Sequence, residues 1–152
     1  MGVSGSGKTT IGQALAAQLG WPYLDADDYH PSANVAKMAA GTPLDDADRR
    51  PWLDKLNSIL QEEKDAILGC SALKESYRQR LAAGLKDFRI VYLRGSFELL
   101  SRRAGERKHR FMPASLLKSQ FEALEPPGGA IEVDVVQPVE ACVAAIRSQL
   151  GR

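Results

Sequence analysis

Three glycines within six residues, Gly2, Gly5 and Gly7, followed at once by Lys8, Thr9 and Thr10, constrain this chain more than any other feature. Glycines at this density let a backbone turn sharply and approach a ligand with no Cβ in the way. Gly2, Gly7, Lys8 and Thr9 fit the spacing G-x-x-x-x-G-K-[ST], a loop whose N–H groups surround phosphate oxygens. Val3, Ser4 and Ser6 complete the loop, and the N–H groups of Gly5 to Thr10 can form the inward-facing nest. The helix that follows adds its unpaired N–H groups and its positive dipole end. Lys8 suits the β- and γ-phosphates of a nucleoside triphosphate as a point charge, and the Thr9 hydroxyl suits Mg²⁺. Such a loop leaves a central strand of a sheet. The expectation is therefore that residues carrying this strand precede Met1, and that Met1 is internal.

Periodicity extends the reading. Lys8 to Leu19 reads as a helix with Ile11, Ala14, Leu15 and Leu19 on one face and Gly20 as its stop. Short apolar stretches at 22–25, 66–70, 89–93 and 131–136 read as buried strands. Helices are expected over 31–41, on to about Lys64 with Pro51 in the first turn, after caps at Ser71 and Ser96, over 113–124, and from Pro138. Strands alternating with helices imply an α/β fold, a parallel sheet flanked by helices, with ligands at the carboxyl ends of the strands. The 152 residues fit one domain, 1–152. A net charge of +1 exerts no general pull on nucleic acid or on an anionic membrane. No stretch is long and apolar enough to span a bilayer. Cys70 and Cys142, far apart in apolar surroundings, read as buried free thiols, which suits a reducing cytoplasm.

Several polar residues fall where strands should end. Asp25 and Asp27 offer a carboxylate near the metal, reached through water, and a partner for substrate hydroxyls; phosphoryl transfer needs such a group to take the hydroxyl proton. A solvated acidic turn is the competing reading. His30 suits a hydroxyl or carboxylate, and Arg49 an anion; ordinary loop and surface roles compete for both. Ser71, Lys74 and Arg78 share roughly one helix face, so Ser71 would aim the helix end at an anion that Lys74 and Arg78 hold. The basic run from Arg102 to Arg110 reads as a mobile lid at about 102–112, closing over the phosphates. A solvated surface is its alternative, and nucleic-acid binding lacks interleaved aromatics.

Longer blocks carry a resemblance. The opening loop, Asp25-Ala26-Asp27-Asp28-Tyr29-His30-Pro31, Gly41-Thr42-Pro43-Leu44-Asp45-Asp46, Pro51-Trp52-Leu53, Cys70-Ser71-Ala72-Leu73-Lys74 and Ser119-Gln120-Phe121-Glu122 resemble the thermoresistant-type gluconate kinases. The resemblance covers nearly the whole chain. It implies a nucleoside-monophosphate-kinase-like fold, ATP and Mg²⁺, transfer to the 6-hydroxyl of D-gluconate, and a homodimer. It implies that Lys8, Asp25, Arg103 and Arg107 act in catalysis. It also implies that gluconate is held by some of Asp27, His30, Arg49, Ser71, Lys74, Arg78 and Gln120. Two positions depart from the pattern. Arg110 stands where the family has His, so no role passes to His109, and Gly69 stands where it has Ala. The rival readings are another small-molecule kinase of this fold, such as a shikimate kinase, and a non-catalytic nucleotide-binding module.

Overall fold

The computed structural model describes residues 1–106 and 114–152. Its elements run α1 Lys8–Leu19, β1 Tyr23–Asp25, a 3₁₀ turn Ala26–Tyr29, α2 Ser32–Ala39, α3 Asp46–Glu62, β2 Ile67–Gly69 and α4 Glu75–Ala82. There follow β3 Val91–Arg94, α5 Phe97–Glu106, α6 Ala114–Ala123, β4 Ile131–Asp134 and α7 Val139–Leu150. The fold is the expected α/β arrangement, with strands one or two residues shorter than the apolar runs that announce them.

Local chemistry sets the boundaries. α1 starts after Gly7 (φ 97°) and stops at Gly20 (φ 71°), both in the left-handed region where a Cβ is penalised. α3 opens on a reciprocal cap: the Asp48 N–H donates to Asp45 Oδ1 (2.7 Å) and the Asp45 N–H to Asp48 Oδ2 (3.1 Å). That cap fixes the helix start at Asp46, which puts Pro51 a turn deeper than expected. The Ser96 hydroxyl accepts from the Leu99 N–H (3.1 Å) and begins α5 as anticipated.

The strands form two parallel pairs, β1 with β2 and β3 with β4. Asp25 lies beside Gly69 in one pair and Arg94 beside Asp134 in the other. Between the pairs lies Met1. Its amino group donates to the Val91 carbonyl (2.6 Å), and its carbonyl accepts from the Leu93 N–H (2.9 Å). On the other side the Gly2 N–H reaches the Ser71 carbonyl (3.3 Å). A cavity of ≈ 850 Å³, lined by Ile11, Leu15, Leu68, Cys70, Val91 and Leu93 among others, occupies the gap between β2 and β3.

Two apolar clusters hold the layers. One packs Ile11 and Leu15 of α1 and Cys142, Val143 and Ile146 of α7 against Leu93, Ile131 and Val133 of β3 and β4. The other packs Trp52, Leu53 and Leu56 of α3 and Leu81 of α4 around Ala26, Cys70 and Ala72. Burial at roughly 25 cal/mol per Å² of apolar surface makes these clusters the main stabilising term. The Gly69 departure has a local reason. The Tyr23 ring lies across Gly12 and its hydroxyl against Gly69, so an alanine methyl at 69 would collide with that hydroxyl.

Candidate active site

The phosphate loop is held open by its own residues. The Ser6 N–H bonds back to the Val3 carbonyl (3.2 Å), closing the turn. Lys8 Nζ donates to the carbonyls of Gly2 (2.9 Å) and Val3 (3.0 Å), which draws its ammonium back across the loop it follows. Gly2 permits this closure: a Cβ there would stand 2.7 Å from Ser6 Oγ and 2.9 Å from the Leu93 carbonyl. Thr9 and Thr10 are exposed at the start of α1, where free N–H groups and the helix dipole favour an anion.

Strand register and one hydrogen bond bring this loop to the carboxyl ends of β1 and β2. Asp25 pairs with Gly69, two residues before Ser71, and the Ser71 carbonyl takes the Gly2 N–H. Asp25 Oδ1 accepts from the Asp27 N–H (3.0 Å), which ends the strand in a 3₁₀ turn. Among the described residues nothing bonds its other oxygen. Trp52 pins this turn, its Nε1–H donating to the Ala26 carbonyl (2.7 Å). The Asp27 side chain is 86% exposed and stands 3.9 Å from His30 Nε2.

His30 is stacked on Trp52, ring centroids 4.2 Å apart. Asn34, buried on α2, fixes its tautomer. Asn34 Nδ2 donates to the Asp48 carbonyl (2.9 Å), so the atom facing His30 Nδ1 at 3.3 Å is also Nδ2, a donor. Nδ1 must then accept, and the ring proton sits on Nε2, on the Asp27 side. Burial lowers the His30 pKa, Asp27 opposes this, and Arg49 adds to it. His30 is therefore a neutral donor.

A third group forms around Tyr77, which sequence patterning counts only as an inward apolar residue. The Arg49 guanidinium lies 5.3 Å and Lys74 Nζ 5.8 Å from its ring centroid. Its hydroxyl donates to Asp46 Oδ1 (2.7 Å), and Arg49 Nη1 donates to the Leu44 carbonyl (2.8 Å). Two cations from separate parts of the chain thus lie within 6 Å of one ring centroid, which concentrates positive charge where an anionic group can be held. No spacing in the sequence announces this meeting of α3 with α4. Asn34 and Tyr77 are residues of this cleft that periodicity misses.

Three expectations are corrected here. Ser71 does not cap α4, which begins at Glu75 after Lys74 in extended conformation, and Ala72 before it is left-handed (φ 47°). The α4 N-terminus is filled from within, by Glu125 Oε1 accepting the Glu75 N–H (2.9 Å). Arg78 is 3% exposed and its donors are committed: Nη1 to the Ala72 carbonyl (2.7 Å), Nη2 to the Glu125 carbonyl (2.8 Å), Nε and Nη2 to Glu75. It holds the 71–74 loop in its strained shape rather than facing the cleft. Gln120 grips the phosphate loop, its Oε1 taking the Ser4 N–H (2.7 Å).

The remaining residues are placed as follows. Arg103 lies on α5, and its charge opposes the rise that burial gives the Cys142 thiol. Of the lid expected at about 102–112, residues 102–106 continue α5 as helix, and Arg107 with the rest lies outside the described residues. Burial pushes the Cys70 thiol up to about 11, so Cys70 at the end of β2 stays protonated. Among the described residues no three His, Cys, Asp or Glu side chains form a metal-holding cluster. Thr9 and Asp25 are oxygen donors, and Mg²⁺ binds through one or two protein oxygens, phosphates and water, so this donor set fits it. No helix of the described residues is long and apolar enough to cross a membrane.

Known proteins share this architecture and sequence. A family model described as shikimate kinase matches residues 4–124. A Xenopus tropicalis protein named "Probable gluconokinase" is 45% identical over 174 aligned positions, covering 100% of this chain and 92% of that one. The thermoresistant gluconokinase of Escherichia coli is 41% identical, covering 95% and 87%. The crystal structure of a gluconokinase from Sinorhizobium meliloti superposes with a TM-score of 0.91 at 42% identity, covering 100% of this chain and 89% of that one. The family model describes the shared kinase fold, and identity at this level over whole chains separates its branches. The chain belongs to the gluconokinase family of shikimate-kinase-like phosphate-loop kinases.

Proposed function

We propose that this chain transfers the γ-phosphoryl group of ATP to the 6-hydroxyl of D-gluconate, giving 6-phosphogluconate and ADP. The observation that carries the reading is the placement of Asp25. Strand register sets it beside Gly69, and the Gly2–Ser71 hydrogen bond ties that strand end to the phosphate loop. A carboxylate with one oxygen unbonded among the described residues thereby stands at the strand end tied to the loop proposed to hold the transferred group.

Each residue then has a defined task. The N–H groups of Gly5 to Thr10 and the Lys8 ammonium hold the β- and γ-phosphates. Thr9, and Asp25 through water, would hold Mg²⁺, which supplies charge neutralisation on the phosphate oxygens when bound. Arg49 and Lys74, gathered at Tyr77, take the gluconate carboxylate; Asp27 and the His30 Nε2–H take its hydroxyls. Asp25 accepts the 6-hydroxyl proton as that oxygen forms its bond to the γ-phosphorus. The bond from phosphorus to the β–γ bridging oxygen breaks, and its electron pair leaves with ADP. Arg103 on α5 is proposed to complete the nucleotide side. A homodimer in a reducing cytoplasm belongs to the same reading; the buried free thiols of Cys70 and Cys142 support the compartment, and sedimentation tests the dimer.

The test measures ADP release with gluconate, shikimate, adenylylsulfate or AMP as acceptor. Turnover of gluconate, with Asp25→Asn lowering kcat about 10²–10⁴-fold, is expected. Turnover of another acceptor and none of gluconate overturns the assignment, and ATP binding without any turnover returns the non-catalytic module. Full activity of Asp25→Asn removes the base.

A further inference from the structure

Gln120 is the residue whose position the reaction above does not use. It comes from α6, 116 residues away from its partner in the chain, and makes two hydrogen bonds to one residue of the phosphate loop. Its Oε1 accepts from the Ser4 N–H at 2.7 Å. Its Nε2 donates to Ser4 Oγ at 3.1 Å. α6 is firmly seated behind this contact: Leu117 is 1% exposed, and Phe121 meets Phe97 of α5 edge to face with centroids 5.8 Å apart.

The orientation of the amide follows from chemistry. A backbone N–H can only donate, so the atom facing it is the amide oxygen, and the amide nitrogen necessarily faces Ser4 Oγ. Oγ therefore accepts, and its own proton cannot lie along that bond. It is left for another partner, and Ser4 is only half-buried. Within the loop, the Ser4 N–H is also withdrawn from the phosphate nest, which leaves that nest to Gly5 and the residues after it.

We infer that Gln120 is a positioning residue whose paired grip on Ser4 fixes the start of the phosphate loop and makes the Ser4 hydroxyl a hydrogen-bond donor toward the phosphoryl group in transfer. The inference rests on the phosphoryl transfer proposed above. A donor poised where negative charge accumulates, and needing no reorientation, contributes most in the transition state. Gln120 itself touches neither substrate nor nucleotide in this scheme.

Gln120→Glu separates this role from simple anchoring. A carboxylate still accepts the Ser4 N–H, so the loop stays tethered. It can no longer donate to Oγ and instead draws the Ser4 proton back to itself. Protonated, the same side chain donates again as the amide does. Relative to wild type at each pH and at saturating ATP, kcat of Gln120→Glu is expected to be about tenfold low at neutral pH. The deficit should close as pH falls toward the carboxyl range, about 4.3 for an unperturbed Glu. In a Ser4→Ala background the same substitution should add no pH-dependent loss, because the hydroxyl it redirects is gone. A deficit that is equal at every pH, or that persists unchanged beside Ser4→Ala, overturns the inference, as does wild-type kcat throughout. The wild-type rate on gluconate is read first and bears only on the acceptor. The variant ratios are also taken on ATP hydrolysis by water, so Gln120 is decided even where gluconate fails.

Discussion

The nucleotide side and the acceptor side of this cleft are held together over very different distances along the chain. In the phosphate loop, Lys8 bonds residues five and six positions away, and Ser6 bonds Val3. On the acceptor side, Asn34 reaches Asp48 across 14 positions, Trp52 reaches Ala26 across 26, Tyr77 reaches Asp46 across 31 and Glu75 reaches Glu125 across 50. A loop closed by near neighbours draws its shape from contacts within itself, apart from its ties to Gln120 and Ser71. A site closed by distant partners exists only when α2, α3, α4 and the 125 segment are all docked. Substitutions should therefore uncouple function from stability on one side and couple them on the other.

Arg78→Met is the strongest test of that coupling. The substitution keeps much of the side-chain volume but strands the Ala72 and Glu125 carbonyls and frees the left-handed Ala72 loop. A loss of about 3 kcal/mol in urea unfolding is expected, together with a raised KM for gluconate. Unchanged stability with a raised KM would mean that Arg78 binds substrate after all. Gly2→Ala is the matching test on the nucleotide side. Its methyl meets the Leu93 carbonyl, a backbone atom that cannot swing aside, and Ser6 Oγ. Overpacking of this kind costs about 2 kcal/mol. The larger change should be in KM for ATP, with KM for gluconate little altered. A variant that loses both affinities in step would erase the contrast between the two sides.

The same difference explains what could be read from the sequence. Gly2, Gly7, Lys8 and Thr9 act through spacing alone, so the phosphate loop and α1 were legible residue by residue. Strand and helix order was legible because each element carries its own periodicity, as in the Ile11–Leu15 face of α1; the Asp45–Asp48 cap, inside what reads as a polar turn, was not. The acceptor side was legible only as a set of candidates. Arg49, Lys74 and His30 could be named as polar residues near strand ends, but the ring that gathers the first two belongs to Tyr77, whose register marks it as core. Arg78 shows the reverse error. Its i+7 relation to Ser71 suggests a shared anion-binding face, yet Ala72 turns left-handed between them and the helix that would align them starts three residues late. Glu125 then fills the helix end from a segment no local pattern connects to it.

The smallest expected effect concerns His30, where the acceptor side registers pH. The ring lies on Trp52, accepts from Asn34 at Nδ1, and faces Asp27 and Arg49. Burial lowers its pKa below 6.5, with Asp27 pulling the other way. Protonation would also place an N–H against the Asn34 Nδ2 donor, two donors with no acceptor between them. The sign follows from proton uptake. In the unfolded chain His30 titrates at its ordinary value, so as pH falls through about 6.5 the unfolded state gains a proton that the native state refuses. Native stability is then complete above that pH and declines below it, until the folded-state pKa is reached. His30→Gln keeps an acceptor for Asn34 and cannot titrate, so it should lose this part of the decline while retaining the carboxylate-dependent loss at lower pH. Urea midpoints of the two proteins measured from about pH 7.5 down to about pH 5.5 should converge or cross as the wild type weakens. Parallel curves over that interval would show that the His30 ring is protonated as easily in the folded protein as in the open chain. The Asn34 contact would then not be setting its tautomer.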